Sequence, residues 1–224
     1  RSSDPGADLL GMLLSVRDEN DQVLSVEEIR DQLVTFIVAG HETVASALGW
    51  AWGLLAEHPT VADAVASEAE AVAPSRAIAY SDFPHLTYSR AVVEETLRLY
   101  PPAWLITRSA GSSDRIDGVE IPAGALIIVS PWLLHRHPDL WDNPEVFDPS
   151  RFASDVARFT HIPFGAGPRL CIGRDFSYVE AVMVISELGR RFRVEFPEGQ
   201  SLPPGEPLVT IRPSGGMPLH VHPR

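Results

Sequence analysis

The stretch Phe164-Gly165-Ala166-Gly167-Pro168-Arg169-Leu170-Cys171-Ile172-Gly173 contains the single cysteine of this 224-residue chain. A segment of helical periodicity, about residues 172–192, follows the cysteine directly. A helix N-terminus and a nearby arginine both favour a thiolate over a thiol. The three glycines leave the backbone bare, so a flat, bulky group could approach the sulfur. A cysteine taken alone is more often an inert core residue than a ligand.

The composition narrows the classes of protein to which the chain can belong. It is 45% hydrophobic and 21% charged, which is typical of a globular protein with a sizeable core. One cysteine excludes an internal disulfide framework. A net charge of −12 argues against a nucleic-acid binder. No apolar run approaches the roughly 18 to 20 residues that a bilayer span needs.

The charge is unevenly distributed along the chain. The first 75 residues hold 13 acidic and three basic residues, whereas residues 151–193 hold seven arginines and four acidic residues. A local positive field in an acidic protein indicates an anionic ligand or partner.

Helical patterns dominate the chain. Ser25 and Glu28 form a capping-box signature at the start of a helix that continues to about Leu55. Further helices are predicted at about residues 60–73 and 89–99. A hairpin is predicted around Asp117-Gly118, with strands at residues 125–129, 208–212 and 219–221. This order predicts an α+β fold that is predominantly α-helical, with a small β-sheet.

Two further motifs lie on the predicted helices. In Ala39-Gly40-His41-Glu42-Thr43, the glycine thins the helix and the threonine hydroxyl can bond to the carbonyl four residues back, which would open a groove. Glu95 and Arg98 share one face of the third helix. Taken alone, each motif is better explained as tolerated helix residues or a common surface pair.

Together these motifs resemble the cytochrome P450 family. The cysteine loop is similar to that family's haem-binding loop, the pentapeptide to its oxygen-activation motif, and Glu95-Thr96-Leu97-Arg98 to its Glu-x-x-Arg helix. The segment Phe147-Asp148-Pro149-Ser150-Arg151-Phe152 resembles the meander whose arginine joins that pair. The four motifs follow the family's order, and the resemblance covers about residues 4–222.

The resemblance implies a role for each matching residue. Cys171 would be the thiolate ligand of the iron in haem b, with Arg169 on a propionate, Phe164 beside the sulfur, and small residues at Gly165 and Gly173. Thr43 and Glu42 would handle protons. Glu95, Arg98 and Arg151 would form a buried structural network. Arg108 is expected at a propionate or on the surface, and His135 near the propionates or in a structural role. The substrate pocket is expected to include Phe36, Ala39, Gly40, Val44, Trp104, Leu105 and Ile106.

The implied activity is that of a haem-thiolate monooxygenase acting on a small hydrophobic substrate with O₂. Its electrons would come from a ferredoxin or a flavodoxin-type or reductase donor, and no nucleic-acid partner is expected. The family's chains are about twice this length, so residues 1–224 are expected to be the C-terminal portion of a P450 domain. A soluble, cytoplasmic location is expected, although the family's membrane anchor would lie further N-terminal.

Three alternatives stay open at the level of sequence. A non-catalytic fragment with weak or no haem binding is the first, and a peroxide-driven haem-thiolate peroxygenase is the second. The third concerns a separate site: His220 and His222 could grip a metal, but two histidines without further ligands are a weak signal.

Overall fold

The structure is a computed structural model that describes residue 6 and residues 8–224. Position 4, where the family resemblance begins, lies outside the described residues. The chain divides into two compact units, Arg1–Glu42 and Thr43–Arg224.

A short helix, α1 (Leu9–Ser15), lies in the N-terminal unit. The Asp8 carboxylate accepts a hydrogen bond of 2.8 Å from the Gly11 N–H and thereby caps the first turn. Beyond α1, an isolated antiparallel bridge joins Arg17 to Val23.

The long helix α2 (Val26–Glu57) begins at the predicted capping box. The Ser25 N–H donates to Glu28 Oε2 at 2.8 Å, and the Glu28 N–H donates to Ser25 Oγ at 3.2 Å. These reciprocal bonds satisfy two backbone donors that a helix start otherwise leaves unpaired. The helix ends two residues beyond the predicted Leu55, immediately before the His58-Pro59 pair.

By length and composition alone, α2 could also cross a membrane. An 18-residue window within it has a mean hydropathy of 1.2 and is 22% buried. The sequence predicted no apolar run of this length, because small and polar residues interrupt the window. One such helix is weak evidence, since the core helix of a soluble protein passes the same test.

Three helices form the core of the second unit: α3 (Pro59–Val72), α4 (Thr87–Leu99) and α6 (Arg174–Gly189), with the short α5 (Pro131–Leu134) between the last two in sequence. The second and third predicted helices are confirmed to within two residues at each end. The fully buried side chains that these helices contribute include Val65, Val92, Val182 and Ile185.

A carboxylate on α3 fixes the start of α4. Glu68 Oε1 accepts from the Tyr88 N–H at 2.6 Å, and Glu68 Oε2 accepts from the Ser89 N–H at 2.8 Å and the Ser89 hydroxyl at 2.7 Å. The residue before α4, Leu86, provides no side-chain cap. A tertiary contact therefore supplies what the local sequence lacks.

The strands are short and antiparallel. They pair as β1 (Ile106–Ser109) with β4 (Leu126–Val129), β2 (Asp114–Ile116) with β3 (Val119–Ile121), β5 (Phe192–Glu195) with β8 (His220–Pro223), and β6 (Gly205–Pro207) with β7 (Ile211–Pro213). Within the described ranges these are four separate two-stranded ladders, whereas the sequence predicted one small sheet. The helix-dominated α+β class is confirmed.

The β2–β3 hairpin is confirmed at its turn. Asp117 and Gly118 have φ values of 48° and 81°, and positive φ at both central residues is what a type I′ turn requires. The predicted strand at residues 208–212 is wrong in its first half. Leu208 and Val209 are exposed in the bend between β6 and β7, and pairing begins only at Ile211.

The last helix is shorter than predicted at both ends. It begins at Arg174 because residues 171–173 form a turn, in which the Arg174 N–H donates to the Cys171 carbonyl at 3.4 Å. It ends at Gly189, and Phe192 pairs instead with Pro223 in the β5–β8 ladder. Cys171 therefore lies before the helix N-cap, Gly173, and not inside the first turn.

Candidate functional site

A cavity of about 310 Å³ with a mostly apolar wall lies in the second unit. Val93 and Leu97 line it from α4, where their spacing of four residues places them on one helical face. Ser177 and Ala181 line it from α6 with the same spacing. The complete lining is Thr43, Val44, Ala47, Val93, Leu97, Pro102, Ala103, Ile106, Arg108, Pro163, Phe164, Gly165, Arg169, Cys171, Ser177 and Ala181.

The glycine-rich loop brings Cys171 to this cavity. The Cys171 N–H donates to the Phe164 carbonyl at 3.0 Å, which closes the loop at its two ends. Gly165 and Gly167 have φ values of 74° and 72°, in the left-handed region that residues with a Cβ rarely adopt. The backbone conformation of the loop therefore requires glycine at both positions.

The thiol of Cys171 is exposed and forms no disulfide. A Cβ built on Gly173 would lie 3.8 Å from the cysteine Sγ and 4.0 Å from the Ser177 Oγ. Glycine at 173 therefore keeps the space beside the sulfur narrow but open. Phe164 packs against Tyr178, with the two ring centroids 5.0 Å apart.

Two arginines lie at the cavity. The Arg108 guanidinium donates to the backbone carbonyl of its neighbour Thr107 at 2.8 Å and is exposed. Arg169 is exposed and has no hydrogen bond or ion pair to any other described residue. The wall thus presents one sulfur and two cationic groups in an apolar setting, which suits an apolar group with anionic substituents.

Glu95, Arg98 and Arg151, the residues of the expected structural network, lie together. The Arg98 guanidinium donates to both Glu95 oxygens at 2.6 and 2.8 Å, and both side chains are fully buried. Arg151 Nε lies 3.4 Å from Glu95 Oε1. Arg98 also donates to the carbonyls of His135, Pro144 and Val146. Every charge in this set has partners, which a buried ion pair needs.

His135, which was expected near the propionates or in a structural role, lies among backbone groups beside Arg98. It is completely buried. Its Nδ1 lies 3.2 Å from the Arg98 carbonyl, and its Nε2 accepts from the Ile162 N–H at 2.9 Å. Both ring nitrogens are therefore used by the backbone, and neither is available for an anionic ligand.

Burial keeps this histidine neutral. Desolvation is the main cause that lowers the pKa of His135 to about 4, and the nearby Arg98 and Arg136 charges act in the same direction. The ring of His161 lies 5.0 Å away, and burial holds the pKa of His161 well below its usual value as well. The two rings form a neutral, buried pair beside the arginine network.

Glu94 and Tyr178 form a second buried polar contact near the cysteine loop. The Tyr178 hydroxyl donates to Glu94 Oε2 at 2.5 Å. Burial raises the pKa of both groups, and the carboxylate beside it raises that of the phenol further. These groups line a separate, polar recess with His161 and Arg174.

The remaining predicted site residues divide between the two units. Thr43, Val44 and Ile106 line the cavity, whereas Trp104 and Leu105 do not. The Trp104 indole N–H instead donates to the Leu208 carbonyl at 2.9 Å. The other predicted residues lie on the part of α2 that belongs to the N-terminal unit: Phe36, Ala39, Gly40 and Glu42.

Sequence reasoning missed half of the cavity lining. The missed residues are Ala47, Val93, Leu97, Pro102, Ala103, Pro163, Ser177 and Ala181. The spacing of Val93 and Leu97, and of Thr43 and Ala47, was the available signal, because each pair lies on one helical face next to a motif residue. Pro163 and Ala103 carry no such periodicity.

The basic segment is less positive at its surface than its composition indicates. Arg174 pairs with Asp175 at 2.9 Å, Arg190 and Arg191 both pair with Glu187, and Arg151 is used in the buried network. Among the described residues, Arg158 and Arg169 have no acidic partner. Most of the arginine excess is therefore paired with acidic side chains.

The comparisons with known proteins agree with this geometry. A cytochrome P450 family model matches residues 2–219, so the chain belongs to the cytochrome P450 family. The solved structure of retinoic acid-bound cyanobacterial CYP120A1 superposes with a TM-score of 0.92 at 32% sequence identity. That alignment covers 98% of this chain and 52% of the other.

Two bacterial relatives have activities in their names. Cyclooctatin synthase of Streptomyces melanosporofaciens is 39% identical over 91% of this chain and 46% of its own length. Pentalenene oxygenase of Streptomyces avermitilis is 36% identical over 97% of this chain and 47% of its own length. The chain therefore spans about half the length of the curated relatives it matches.

Proposed function

We propose that this chain is the haem-binding and oxygen-activating portion of a haem-thiolate monooxygenase. The reaction would insert one oxygen atom of O₂ into an apolar organic substrate, with electrons from a redox partner. The observation that supports this most is the exposed Cys171 thiol at an apolar cavity that Arg108 and Arg169 also line. Membership of the P450 family supports the same reaction class.

The residues at the cavity fit haem b. Cys171 would ligate the iron, Phe164 would pack beside the sulfur, and the bare backbone at Gly165 leaves room for a flat group. Arg169 and Arg108 would neutralise the propionates. When bound, haem supplies oxygen activation, and electron donation from a thiolate ligand favours O–O bond cleavage.

The chain's own part in catalysis is to bind, orient and move protons. Thr43 lines the same cavity as Cys171, which supports a role for its hydroxyl in holding water and passing protons there. Glu42, the preceding residue, would supply the proton. Val44, Ala47 and Leu97 present apolar surface that excludes other water from the cavity.

The substrate is proposed to be a mainly hydrocarbon molecule of the terpene kind. The wall that Val44, Val93 and Ile106 form gives little opportunity for hydrogen bonding. Relatives with the names pentalenene oxygenase and cyclooctat-9-en-7-ol 5-monooxygenase support an apolar substrate. Phe36, Ala39 and Gly40 stay proposed pocket residues on the N-terminal part of α2.

The electron donor is proposed to be an acidic ferredoxin, or a flavodoxin-type or reductase domain. Arg158 has no acidic partner among the described residues, and Arg174 is about half exposed. Charge reversal at Arg158 would slow reduction and weaken its dependence on ionic strength. Reduction rates that are equal in parent and variant at low salt would contradict this docking surface.

A cytoplasmic location is proposed for the chain. Trp50, Ala51, Leu54 and Leu55 on the second half of α2 are buried among protein side chains and are not available to lipid. Recovery of the chain in the membrane fraction after cell lysis would contradict this proposal.

The proposal is tested by reconstituting the chain with haem and recording the absorption spectrum of the reduced, CO-treated protein. The parent is expected to give the red-shifted band of thiolate ligation, and Cys171→His is expected to lose that band and all oxygenation. Ser67→Ala, a change on the exposed surface of α3, is the matched control and should behave as the parent.

The same experiment separates the alternatives. A parent chain that takes up no haem would identify a non-catalytic fragment. Turnover with peroxide but not with O₂ and reductant would identify a peroxygenase. Oxygenation that survives in Cys171→His would overturn the assignment of the ligand.

A further inference from the structure

A second cluster of potential ligand atoms lies on the β5–β8 ladder, among residues that the proposed reaction does not use. Side chains alternate between the two faces of a strand, so His220 and His222 share one face of β8. Glu195 is directly opposite His220 in the antiparallel register, which places it on the same face. We call Glu195, His220 and His222 the second site. The two histidines are separated by one residue, and Glu195 precedes them by at least 25 positions.

The ligand atoms of the three side chains converge. One nitrogen of each histidine and one carboxylate oxygen all lie within 4.8 Å of one another. Glu195 Oε1 lies 3.0 Å from His222 Nε2. That nitrogen is buried yet has no aligned hydrogen bond within the described part of the chain, although the carboxylate is close. A buried polar atom without an aligned partner is one that a further ligand would satisfy.

We propose that Glu195, His220 and His222 form a binding site for a first-row divalent transition metal, with Zn²⁺ as the best match. Two imidazoles and one carboxylate are a donor set that zinc prefers, with water in the fourth position. Donors of a tetrahedral zinc ion lie about 3.3 Å apart, so partly exposed side chains need only a small adjustment to close on the ion. The third ligand, which the two histidines lack in sequence, comes from the neighbouring strand.

Arg193 is the competing cation at this second site. Its guanidinium lies 3.6 Å from Glu195 Oε2, and its residue is opposite His222 on the same face. Arg193 therefore neutralises part of the charge that a metal would use. Replacing Arg193 with glutamine should therefore increase the affinity for the metal. If the Arg193–Glu195 ion pair had only a structural role, the replacement would have no such effect.

Metal binding would stabilise the β5–β8 ladder. His220 and His222 lie on β8 and Glu195 lies on β5, so an ion bound by all three residues cross-links the two strands. A ligand that binds only the folded ladder stabilises it in proportion to its occupancy. Zinc should therefore raise the midpoint of thermal unfolding of the parent chain.

The test is a calorimetric titration of untagged, metal-free protein with Zn²⁺, and a parallel titration with Co²⁺ followed by visible absorption. The parent is expected to bind one ion and to show the intense bands of four-coordinate cobalt. His222→Ala and Glu195→Gln are each expected to lower the affinity by more than about tenfold, since loss even of outer-shell partners costs 10–100-fold. Arg193→Gln is expected to raise it.

Two controls keep the outcome specific to this second site. His137, which lies 3.9 Å from Asp139 on the surface, is the matched control, and His137→Ala should bind as the parent does. Cys171→Ser should also retain binding, so failure of the haem assignment and failure of this proposal are distinguishable. The proposal would be overturned if the parent bound no Zn²⁺ at a one-to-one ratio. It would also be overturned if the parent and His222→Ala had equal affinity for Zn²⁺.

Discussion

Replacing His135 with glutamine should remove a specific sensitivity of this protein to acid. The buried imidazole has the Arg98 carbonyl on one side and the Ile162 N–H on the other. A glutamine amide can donate to the first and accept from the second, but it does not titrate. The parent and the variant therefore differ mainly in one ionisable group.

The direction and size of the effect follow from the pKa. Burial lowers the pKa of His135 to about 4 from its usual 6.5. Below pH 6.5 the imidazole of His135 binds a proton in the unfolded chain, whereas in the native state it stays neutral until the pH approaches 4. The stability that neutral His135 contributes is thus fully present above pH 6.5 and is lost as the pH falls toward 4. Between about pH 7.5 and about pH 4.5 this loss amounts to about 2.5 kcal/mol.

The assay is urea unfolding of both proteins at several pH values across that range. Other titrating groups act in both proteins, among them Glu94 and the neighbouring His161. Because His135 is one of the causes that lower the pKa of His161, the difference between the two curves reports His135 together with its effect on His161. The free energy of unfolding of the parent should fall more steeply with acid, by about 2.5 kcal/mol in total. Ser67→Ala, on the exposed surface of α3, changes no ionisable group and should keep the parent slope. Parallel curves for the parent and His135→Gln would contradict the assigned effect of the buried imidazole.

Three further changes probe contacts that the structure shows. Glu95→Ala leaves the buried Arg98 without its carboxylate and should cost about 3–5 kcal/mol in urea unfolding, whereas Glu120→Ala, in an exposed pair, should cost under about 1 kcal/mol. Ser25→Ala removes half of a capping box and should lower the unfolding free energy by about 1 kcal/mol, with no loss expected for Ser67→Ala. Glu68→Gln weakens the cap of α4 and should cost about 1–3 kcal/mol, with protection from hydrogen exchange falling first at Tyr88. Unchanged stability in any of the three would contradict the contact concerned.

Local signals account for the parts of the fold that were predicted well. The Ser25–Glu28 capping box, the Asp117-Gly118 turn and Pro59 each act within a few residues of the chain. The boundaries that depend on those residues were therefore correct or within two residues. The start of α6 was predicted too early. The turn at residues 171–173 contains only one helix-breaking residue, Gly173, and no proline.

Contacts between distant segments account for what was missed. The sequence shows an Asp-Gly hairpin, but it does not show that β5 pairs with β8 across 24 intervening residues. The third ligand of the proposed metal site therefore could not be predicted. His135 illustrates the same limit, since only the tertiary structure shows that the backbone of Arg98 and Ile162 uses both ring nitrogens.

Motif spacing and periodicity are properties of neighbouring residues, so the family, the cysteine loop and the helix-dominated class could be inferred from the residues alone. Which side chains meet is known only from the three-dimensional structure. In the structure, one cavity is lined by Cys171, Thr43 and two arginines. The Arg98 guanidinium donates to three backbone carbonyls, and most of the nearby arginines form ion pairs. The physical reason is that desolvation and long-range pairing depend on what surrounds a residue in space.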